Sequence, residues 1–232
     1  MRNGIGTLNE SSLHSALKDW YKQPGDRLEV NIDNHVIDIL RSNQLIEIQI
    51  RNFHSIKTKL NILLKQHKLR LILPLIRDKW IKKLDQLEMN TISRRQSPKH
   101  CTYIDLFQEL IRIPDLVTHP NFALEVLLIQ AEEILVNDGQ GSWRRKGWSI
   151  NDKKLINVLE RRLFSKPMDY LSFLPDGLTP PFTNRELASQ LNKPLKIASM
   201  MTYCLRKMDL IKIVGKRGRA FLFDNIEHIK FI

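Results

Sequence analysis

Alternating apolar and polar positions are clearest between residues 27 and 50. Three short runs there repeat with the two-residue period of a β-strand, at 27–32, 35–41 and 44–50. Asp-Asn and Ser-Asn pairs separate the runs and favour turns. In the third run Ile46 and Ile48 face one side of the strand, while Glu47 and Gln49 face the other. The pattern predicts a three-stranded meander.

Helices are predicted on either side of this meander. Residues 8–22 carry apolar side chains at helical spacing. Thr7 and Glu10 form a Thr-x-x-Glu capping box, which places the start of this helix near Leu8. Residues 52–66 form a second amphipathic helix with one apolar stripe.

A buried strand is predicted after the second helix. Residues 69–76 are continuously apolar, and Pro74 places the end of the strand at an edge or a bulge. Residues 77–85 alternate and are compatible with one more strand. Helix, meander, helix and strand together predict a small α/β sandwich over residues 1–85.

The middle of the chain, residues 86–165, has less regular patterns and is predicted as an α/β region or a linker module. The stretch 86–100 is polar and basic, which indicates a linker or an exposed loop. The other predicted elements are a helix at 103–113, a long strand or a helix at 123–136, a return strand at 143–150 and a helix at 151–164 with Asn151 as its N-cap.

The last part of the chain, residues 166–232, has a second clear pattern. A Thr-x-x-Glu box predicts a helix over 184–191, and Pro194 favours the first position of a helix over 194–208. Residues 210–224 follow as strand, basic glycine-flanked turn and strand. Helix, turn, helix and hairpin is typical of a winged helix-turn-helix domain that binds DNA.

The charge of the chain favours a polyanionic partner. Lys plus Arg number 37 and Asp plus Glu number 25, so the net charge is +12 over 232 residues. Such an excess indicates nucleic acid before a membrane surface. A basic protein without such a partner is the alternative.

Several features indicate a cytoplasmic protein without a membrane partner. No apolar run approaches the roughly 20 residues that span a bilayer. The first ten residues have no apolar signal-peptide region. Cys101 and Cys204 are far apart and lack metal-ligand spacing, which suggests a reducing compartment.

Two acids on neighbouring predicted strands supply the candidate chemistry. Asp38 and Glu47 are flanked by isoleucines, and two buried carboxylates are costly unless a positive group lies between them. A divalent cation is the simplest such group, and the sequence therefore predicts a metal-dependent nuclease. In the alternative interpretation Asp38 caps a turn and Glu47 faces solvent on an edge strand.

These residues resemble the PD-(D/E)xK nuclease superfamily, in particular small members like the archaeal Holliday-junction resolvases. The resemblance covers roughly residues 5–83 and implies a restriction-endonuclease-like α/β sandwich. It also implies that Asp38 and Glu47 hold Mg²⁺ (or Mn²⁺) and that Glu10 is an accessory acid. Glu10 is otherwise only part of the capping box, and His14, one helical turn later, faces either the site or solvent.

The sequence departs from the superfamily pattern at two positions. Ile37 replaces the proline, and Gln49 replaces the lysine that orients the attacking water. Glutamine can orient a water but carries no positive charge. Lys57 or Lys59 on the next helix, or Arg51, could supply that charge; otherwise the domain binds DNA without cutting it.

The predicted DNA contacts lie mainly in the C-terminal unit. Ser199, Thr202 and Tyr203 are candidates for contacts to base edges. The full predicted DNA-binding set is Arg51, Lys59, Lys193, Lys196, Thr202, Arg206, Lys216, Arg217 and Arg219. A winged helix that mediates protein contacts is the alternative. Arg144, Arg145 and Lys146 lie between two tryptophans, which either stack on unpaired bases or pack in a hairpin with solvated charges.

The leading hypothesis is a metal-dependent DNA endonuclease positioned on duplex or branched DNA by a winged helix. The catalytic set is Glu10, Asp38, Glu47, Gln49 and Lys57, with the three acids as metal ligands. A homodimer would suit cleavage of two strands. The alternative is a catalytically inactive nuclease-fold regulator or adaptor, and an RNA nuclease has the same sequence signals.

Overall fold

A mixed sheet of seven strands forms the centre of the protein. The computed structural model describes residues 11–85, 90–141 and 143–225. The strands are β1 (Arg27–Ile32), β2 (His35–Arg41), β3 (Gln44–Ile48), β4 (Lys68–Leu84), β5 (Thr91–Gln96), β6 (Phe122–Asn137) and β7 (Trp148–Phe164). Their order is β1-β2-β3-β4-β6-β7, and β5 pairs with the second half of β4. β3, β4 and β6 are parallel to one another, and the other pairs are antiparallel. The protein is therefore a mixed α/β fold.

Two helices cover opposite faces of the first half of the sheet. Helix α1 (Ser12–Tyr21) packs its leucines in the cluster that contains Ile46 and Ile48 of β3. Helix α2 (Phe53–Leu63) packs in the cluster that contains Leu45 of the same strand. Because neighbouring residues of a strand face opposite ways, the meander is buried on both sides.

The predicted meander and second helix are confirmed, with small changes at their ends. The third strand ends at Ile48 and not at residue 50. The start predicted for the first helix is wrong, because Ser11 is extended (φ −71°, ψ 146°) and its hydroxyl accepts a hydrogen bond from the His14 amide. Ser11 is therefore the N-cap, and the predicted Thr7–Glu10 box lies outside the described residues.

Residues 69–85 form one strand of the sheet and not two. β4 runs for 17 residues through Pro74. Ile72 directs its carbonyl oxygen to the amide of Gln49, on the β3 side. Pro74, two residues later, faces the same side just beyond the end of β3, where a missing N–H costs no ladder hydrogen bond. The proline is thus tolerated at a local edge without ending the strand.

The predicted boundary at residue 85 does not divide the sheet. β4 and β6 pair continuously from Leu69–Phe122 to Leu84–Val136. The stretch 86–100, predicted as a linker or loop, contributes β5 to the same sheet. The seven strands from β1 to β7 therefore belong to one sheet.

The helix predicted at 151–164 is wrong, since these residues belong to β7. β7 pairs along β6, and the register shifts so that Leu155 pairs with Ala131 and Asn157 with Gln130. Ile156 is the extra residue of this bulge and is half exposed. The bulge puts Leu155 and Val158 against the same buried cluster three residues apart, which imitates helical spacing.

The C-terminal elements follow the prediction more closely. They are α4 (Asn184–Gln190), α5 (Leu195–Lys207), β8 (Ile211–Arg217) and β9 (Ala220–Asn225). The capping box that opens α4 is confirmed. The short helix α3 (Phe107–Leu110) contacts α5, and both belong to the larger buried cluster of the sheet. Of the helices in the described ranges, none is long and apolar enough to cross a membrane.

A buried polar network ties α1 to the centre of the sheet. Glu125 of β6 is 3% exposed. Its Oε2 accepts hydrogen bonds from the Tyr21 hydroxyl at 2.6 Å and from Arg70 Nη1 at 3.0 Å. Burial and this carboxylate raise the pKa of Tyr21. Since a buried group that loses its partner keeps its desolvation cost, removing Glu125 should cost more than the two hydrogen bonds contribute.

We expect Glu125→Ala to lower the free energy of unfolding by about 2–3 kcal/mol, because it strands Arg70 and the Tyr21 hydroxyl in the interior. Tyr21→Phe should cost about 1 kcal/mol. Urea denaturation of the variants measures both values.

Glu160→Ala is the matched control, since Glu160 forms an exposed ion pair with Arg77 at 2.7 Å. It should cost less than about 1 kcal/mol. Equal losses of unfolding free energy in Glu125→Ala and Glu160→Ala would show that the buried network stabilises the protein no more than an exposed ion pair does.

Candidate functional site

Asp38 and Glu47 adjoin the last pair of the β2–β3 ladder and are close enough to interact electrostatically. The ladder pairs Ile39 with Ile46, so Asp38 and Glu47 occupy the next position. Glu47 is 7% exposed, and 15% of the Asp38 side chain is exposed. Two carboxylates are thus held side by side in a largely dry region, as the sequence predicted.

Asp38 is held by α1 and by the backbone of β3. Its Oδ2 accepts a hydrogen bond from the amide of Ile48 at 2.7 Å and lies 3.3 Å from His14 Nε2. The same imidazole nitrogen lies 3.0 Å from the carbonyl oxygen of Ile48. Burial acts to raise the pKa of Asp38, but His14, the Ile48 amide and Lys59 together outweigh it and lower that pKa. Asp38 therefore favours the carboxylate form.

Glu47 is held from the other face of the sheet by α2. Its Oε1 accepts a hydrogen bond from Lys59 Nζ at 2.6 Å, and the same ammonium donates to the carbonyl oxygen of Val36 at 2.6 Å. Its Oε2 is buried and has no hydrogen-bond partner within the described ranges. Burial first, and then the negative charge of Asp38, raise the pKa of Glu47, although Lys59 and the backbone amide of Asp38 act to lower it.

The pair offers oxygen atoms of the kind that hard divalent cations bind. The orphaned Glu47 Oε2, the Asp38 carboxylate and the Ile48 carbonyl are all hard oxygen donors, and Mg²⁺ prefers oxygen ligands while retaining several waters. Within residues 11–85, 90–141 and 143–225, no group of three or more His, Cys, Asp or Glu side chains could hold a metal ion. Glu10, the predicted accessory acid, lies outside these ranges.

Of three residues predicted to assist the acids, Lys59 contacts Glu47, whereas Gln49 and Lys57 do not. The Gln49 amide donates to the Arg51 carbonyl oxygen at 2.6 Å, so this side chain supports the turn before α2. Lys57 lies two residues before Lys59, about 200° around the helix, and so on a different face. The catalytic roles predicted for Gln49 and Lys57 therefore have no support in the geometry. Spacing along α2 could not identify the correct lysine without the position of the helix on the sheet.

The predicted DNA-binding residues divide into engaged and exposed groups. Thr202 is buried, and its hydroxyl donates to Asn184 Oδ1 at 2.7 Å, so it is not presented to a DNA base. Lys193 donates to Asp105 at 3.0 Å and ties α5 to the segment before α3. Arg217 pairs with Glu186 at 2.6 Å on the surface. The exposed members of the set are Arg51, Lys196, Arg206, Lys216 and Arg219.

The raised pKa of Glu47 gives a prediction for stability against pH. A carboxyl group whose folded pKa exceeds its unfolded value adds stability at low pH and loses it as pH rises through the folded pKa. Glu47→Gln removes this titration but keeps an oxygen that can accept from Lys59. The stability of the variant relative to the parent should therefore increase with pH.

Thermal unfolding in EDTA between about pH 4 and about pH 8 measures this difference. Glu160→Gln is the control on an exposed carboxylate outside the acid pair. A Glu47→Gln difference that stays flat or falls with pH would contradict the assignment.

Comparison with known proteins identifies a family but no activity. A family model described as "Domain of unknown function (DUF8091)" matches residues 11–165, a range that contains both acids and all seven strands of the sheet. An uncharacterized protein of Treponema pallidum (strain Nichols) is 30% identical over 177 residues, which cover 74% of this chain and 70% of that protein. No solved structure matches the chain significantly. The chain belongs to the DUF8091 family.

Proposed function

We propose that this protein is a metal-dependent nuclease whose centre is the Asp38–Glu47 pair. The observation that carries the proposal is Glu47 Oε2, a buried carboxylate oxygen with no hydrogen bond in the described ranges, close to the partly buried carboxylate of Asp38. Most buried side-chain oxygens in proteins are hydrogen-bonded, so an unsatisfied carboxylate oxygen calls for an explanation. A site that binds a cation leaves an oxygen available for it.

The arrangement of the first six elements supports the same proposal. The order α1-β1-β2-β3-α2-β4, with the two helices on opposite faces, supports the α/β sandwich that the PD-(D/E)xK resemblance implies. The acids lie on β2 and β3, where that resemblance places metal ligands. We assign the restriction-endonuclease-like fold on this basis, together with the choice of Mg²⁺ or Mn²⁺.

The residues of the chain would act as follows. Asp38, Glu47 and the Ile48 carbonyl would hold the cation, and His14 keeps the Asp38 carboxylate oriented through Nε2. When bound, the cation supplies Lewis acidity toward the phosphodiester and a more acidic water. Lys59 supplies the positive charge missing from Gln49, since its ammonium is already held against Glu47. It can stabilise the negative charge that develops on the phosphate.

Replacement of either acid should abolish cleavage. We expect Asp38→Asn and Glu47→Gln to lower the cleavage rate of DNA with Mg²⁺ or Mn²⁺ by at least about 10²-fold, while affinity measured in EDTA stays within about twofold. Gel assays with supercoiled, linear, single-stranded and branched DNA, and with RNA, measure the rates. Unchanged rates in both variants would overturn the proposal.

Two lysines of α2 test whether Lys59 takes the role of the lysine that Gln49 replaces. Lys59→Ala should lower the cleavage rate by about 10²-fold, because it removes the cation beside Glu47. Lys57→Ala, the same change on another face of the same helix, should leave the rate within about twofold. The opposite order of effects would assign the role to Lys57.

We propose further that residues 183–225 form a winged helix that contacts DNA. The exposed face of α5 carries Lys196, Tyr203 and Arg206, and the hairpin between β8 and β9 carries further cations at its turn. Helix faces and basic hairpins of this kind contact phosphates and grooves. The buried face of α5 is occupied by packing against the rest of the protein.

The two lysines near the start of α5 test this surface. Lys196→Ala should weaken binding to duplexes of every sequence. It should also reduce the slope of the logarithm of the association constant against the logarithm of salt concentration by about 1, the value expected for one lost phosphate contact. Lys193→Ala should leave affinity unchanged and lower stability, since Lys193 is engaged with Asp105. Anisotropy titrations at several salt concentrations measure the difference, and equal effects would argue against a DNA-contacting face.

A nuclease-fold protein that binds nucleic acid without cutting it is the second candidate. It is favoured by the basic partners that both acids have within the protein, His14 for Asp38 and Lys59 for Glu47. Calorimetric titration of Mn²⁺ into the protein separates the candidates. Binding that is lost in Glu47→Gln supports the nuclease, and its absence from the parent supports the non-catalytic alternative.

A further inference from the structure

The sheet extends beyond its helices as an arm, formed by residues 77–84, 91–96, 130–137 and 148–155. Cross-strand pairing aligns Arg95, Ile81, Glu133 and Lys153 in one row across its four strands. The neighbouring row contains Arg94, Lys82 and Ile134, which face the opposite way. We call the face with Arg95 the front face and the face with Arg94 the back face.

The front face is strongly basic. A cavity of about 360 Å³ lies on it, and Glu133 is its acidic residue. Glu133 is already shared by Lys79 and Lys153, each at 3.5 Å. The cationic residues that line this cavity are Lys79, Lys83, Arg95, Arg144, Arg145 and Lys146. The surface therefore has a large excess of positive charge.

The segment before β7 folds over this face and adds aromatic rings. A Cβ on Gly141 would lie 2.0 Å from the Trp148 carbonyl oxygen, so only glycine allows this close approach. Lys83 Nζ lies over the Trp148 ring, 4.3 Å from the ring centroid, in a cation–π contact. Trp143 is 82% exposed, with the Arg144 guanidinium 5.4 Å from its ring centroid. An exposed indole among cations is suited to stack on a base whose phosphates are neutralised nearby.

The front face continues toward β3 into a region of mixed charge, where Arg51, Lys79, Lys99 and Lys153 lie with the acids Asp105, Glu109 and Glu133. A second cavity, of about 280 Å³, shares Lys79 and Glu133 with the first and reaches Ile50 and Arg51, directly after the strand that carries Glu47. β4 from Leu73 to Lys83 spans about 33 Å along this path. Cavities of this size accept an extended strand, since a duplex is far wider than they are.

We propose that the front face of the arm binds a single-stranded stretch of nucleic acid and leads it toward Asp38 and Glu47. The phosphates contact the cations of the front face, and Trp143 stacks on an unpaired base. Cleavage of the bound strand at the acid pair rests on the proposed function, but binding to the front face needs neither the acids nor a metal. The occupant is nucleic acid because charge complementarity is the dominant feature of the surface.

Two triple variants with the same charge change test this face. The front variant is Lys83→Ala, Arg95→Ala and Lys153→Ala, and the back variant is Lys82→Ala, Arg94→Ala and Lys154→Ala. Each back residue adjoins a front residue on the same strand. Affinity for a labelled oligothymidylate and for a duplex of equal length is measured by anisotropy in EDTA at several salt concentrations. Thermal unfolding of each variant verifies that it is folded.

The front variant should bind the oligothymidylate at least about tenfold more weakly, with a salt slope lower by about 2. The back variant should bind it within about twofold of the parent. Trp143→Ala should weaken binding about tenfold, and Trp143→Phe should retain most of the affinity. Since no divalent cation is present, these results stand even if Asp38→Asn and Glu47→Gln show that the protein does not cut.

Equal losses in the front and back variants would overturn the proposal, because binding would then depend on net charge alone. A front-face loss limited to the duplex, with no effect of Trp143→Ala, would also overturn it and would assign the face to duplex DNA. Single variants Arg95→Ala and Arg94→Ala repeat the comparison if a triple variant fails to fold.

Discussion

The burial of two carboxylates on neighbouring strands is the constraint around which the first half of the protein is arranged. Asp38 and Glu47 adjoin the last pair of the β2–β3 ladder, and each is approached by a basic side chain from a different helix, His14 from α1 and Lys59 from α2. The two helices lie on opposite faces of the sheet, so the pair is balanced from both sides. One oxygen of the pair, Glu47 Oε2, has no hydrogen-bond partner in the described ranges, and the proposed chemistry depends on that atom.

The long central strands connect this site to the rest of the molecule. β4 begins beside β3, in the buried sandwich, and ends in the exposed arm beside β5. One continuous strand therefore passes from an apolar environment to a basic surface, and its composition changes accordingly from LRLILPLI to RDKWIKKL. Such a strand holds the region of the acid pair and the basic surface at a fixed separation, without a flexible connection between them.

The sequence was sufficient to predict those elements that depend on residues close together along the chain. The meander, the second helix and the capping box at Thr183 depend on alternation, turn residues and side chains three positions apart. It was insufficient where pairing with a distant strand decides the structure. The β7 segment contains a bulge at Ile156 that imitates helical spacing, and only its partner β6 reveals the strand. Likewise Asp38 and Glu47 could be chosen from the sequence, whereas the choice of Lys59 over Lys57 required the orientation of α2.

The parallel ladder between β4 and β6 has a consequence for how the chain reaches its native state. Its first rung joins Leu69 to Phe122, and its last joins Leu84 to Val136. Every rung closes a loop of more than fifty residues, so the centre of the sheet cannot nucleate from local contacts. The antiparallel meander, with its tight turns, can form before that closure. The short loops of the meander thus favour early formation of the acid-bearing strands, whereas the β4–β6 ladder must close long loops.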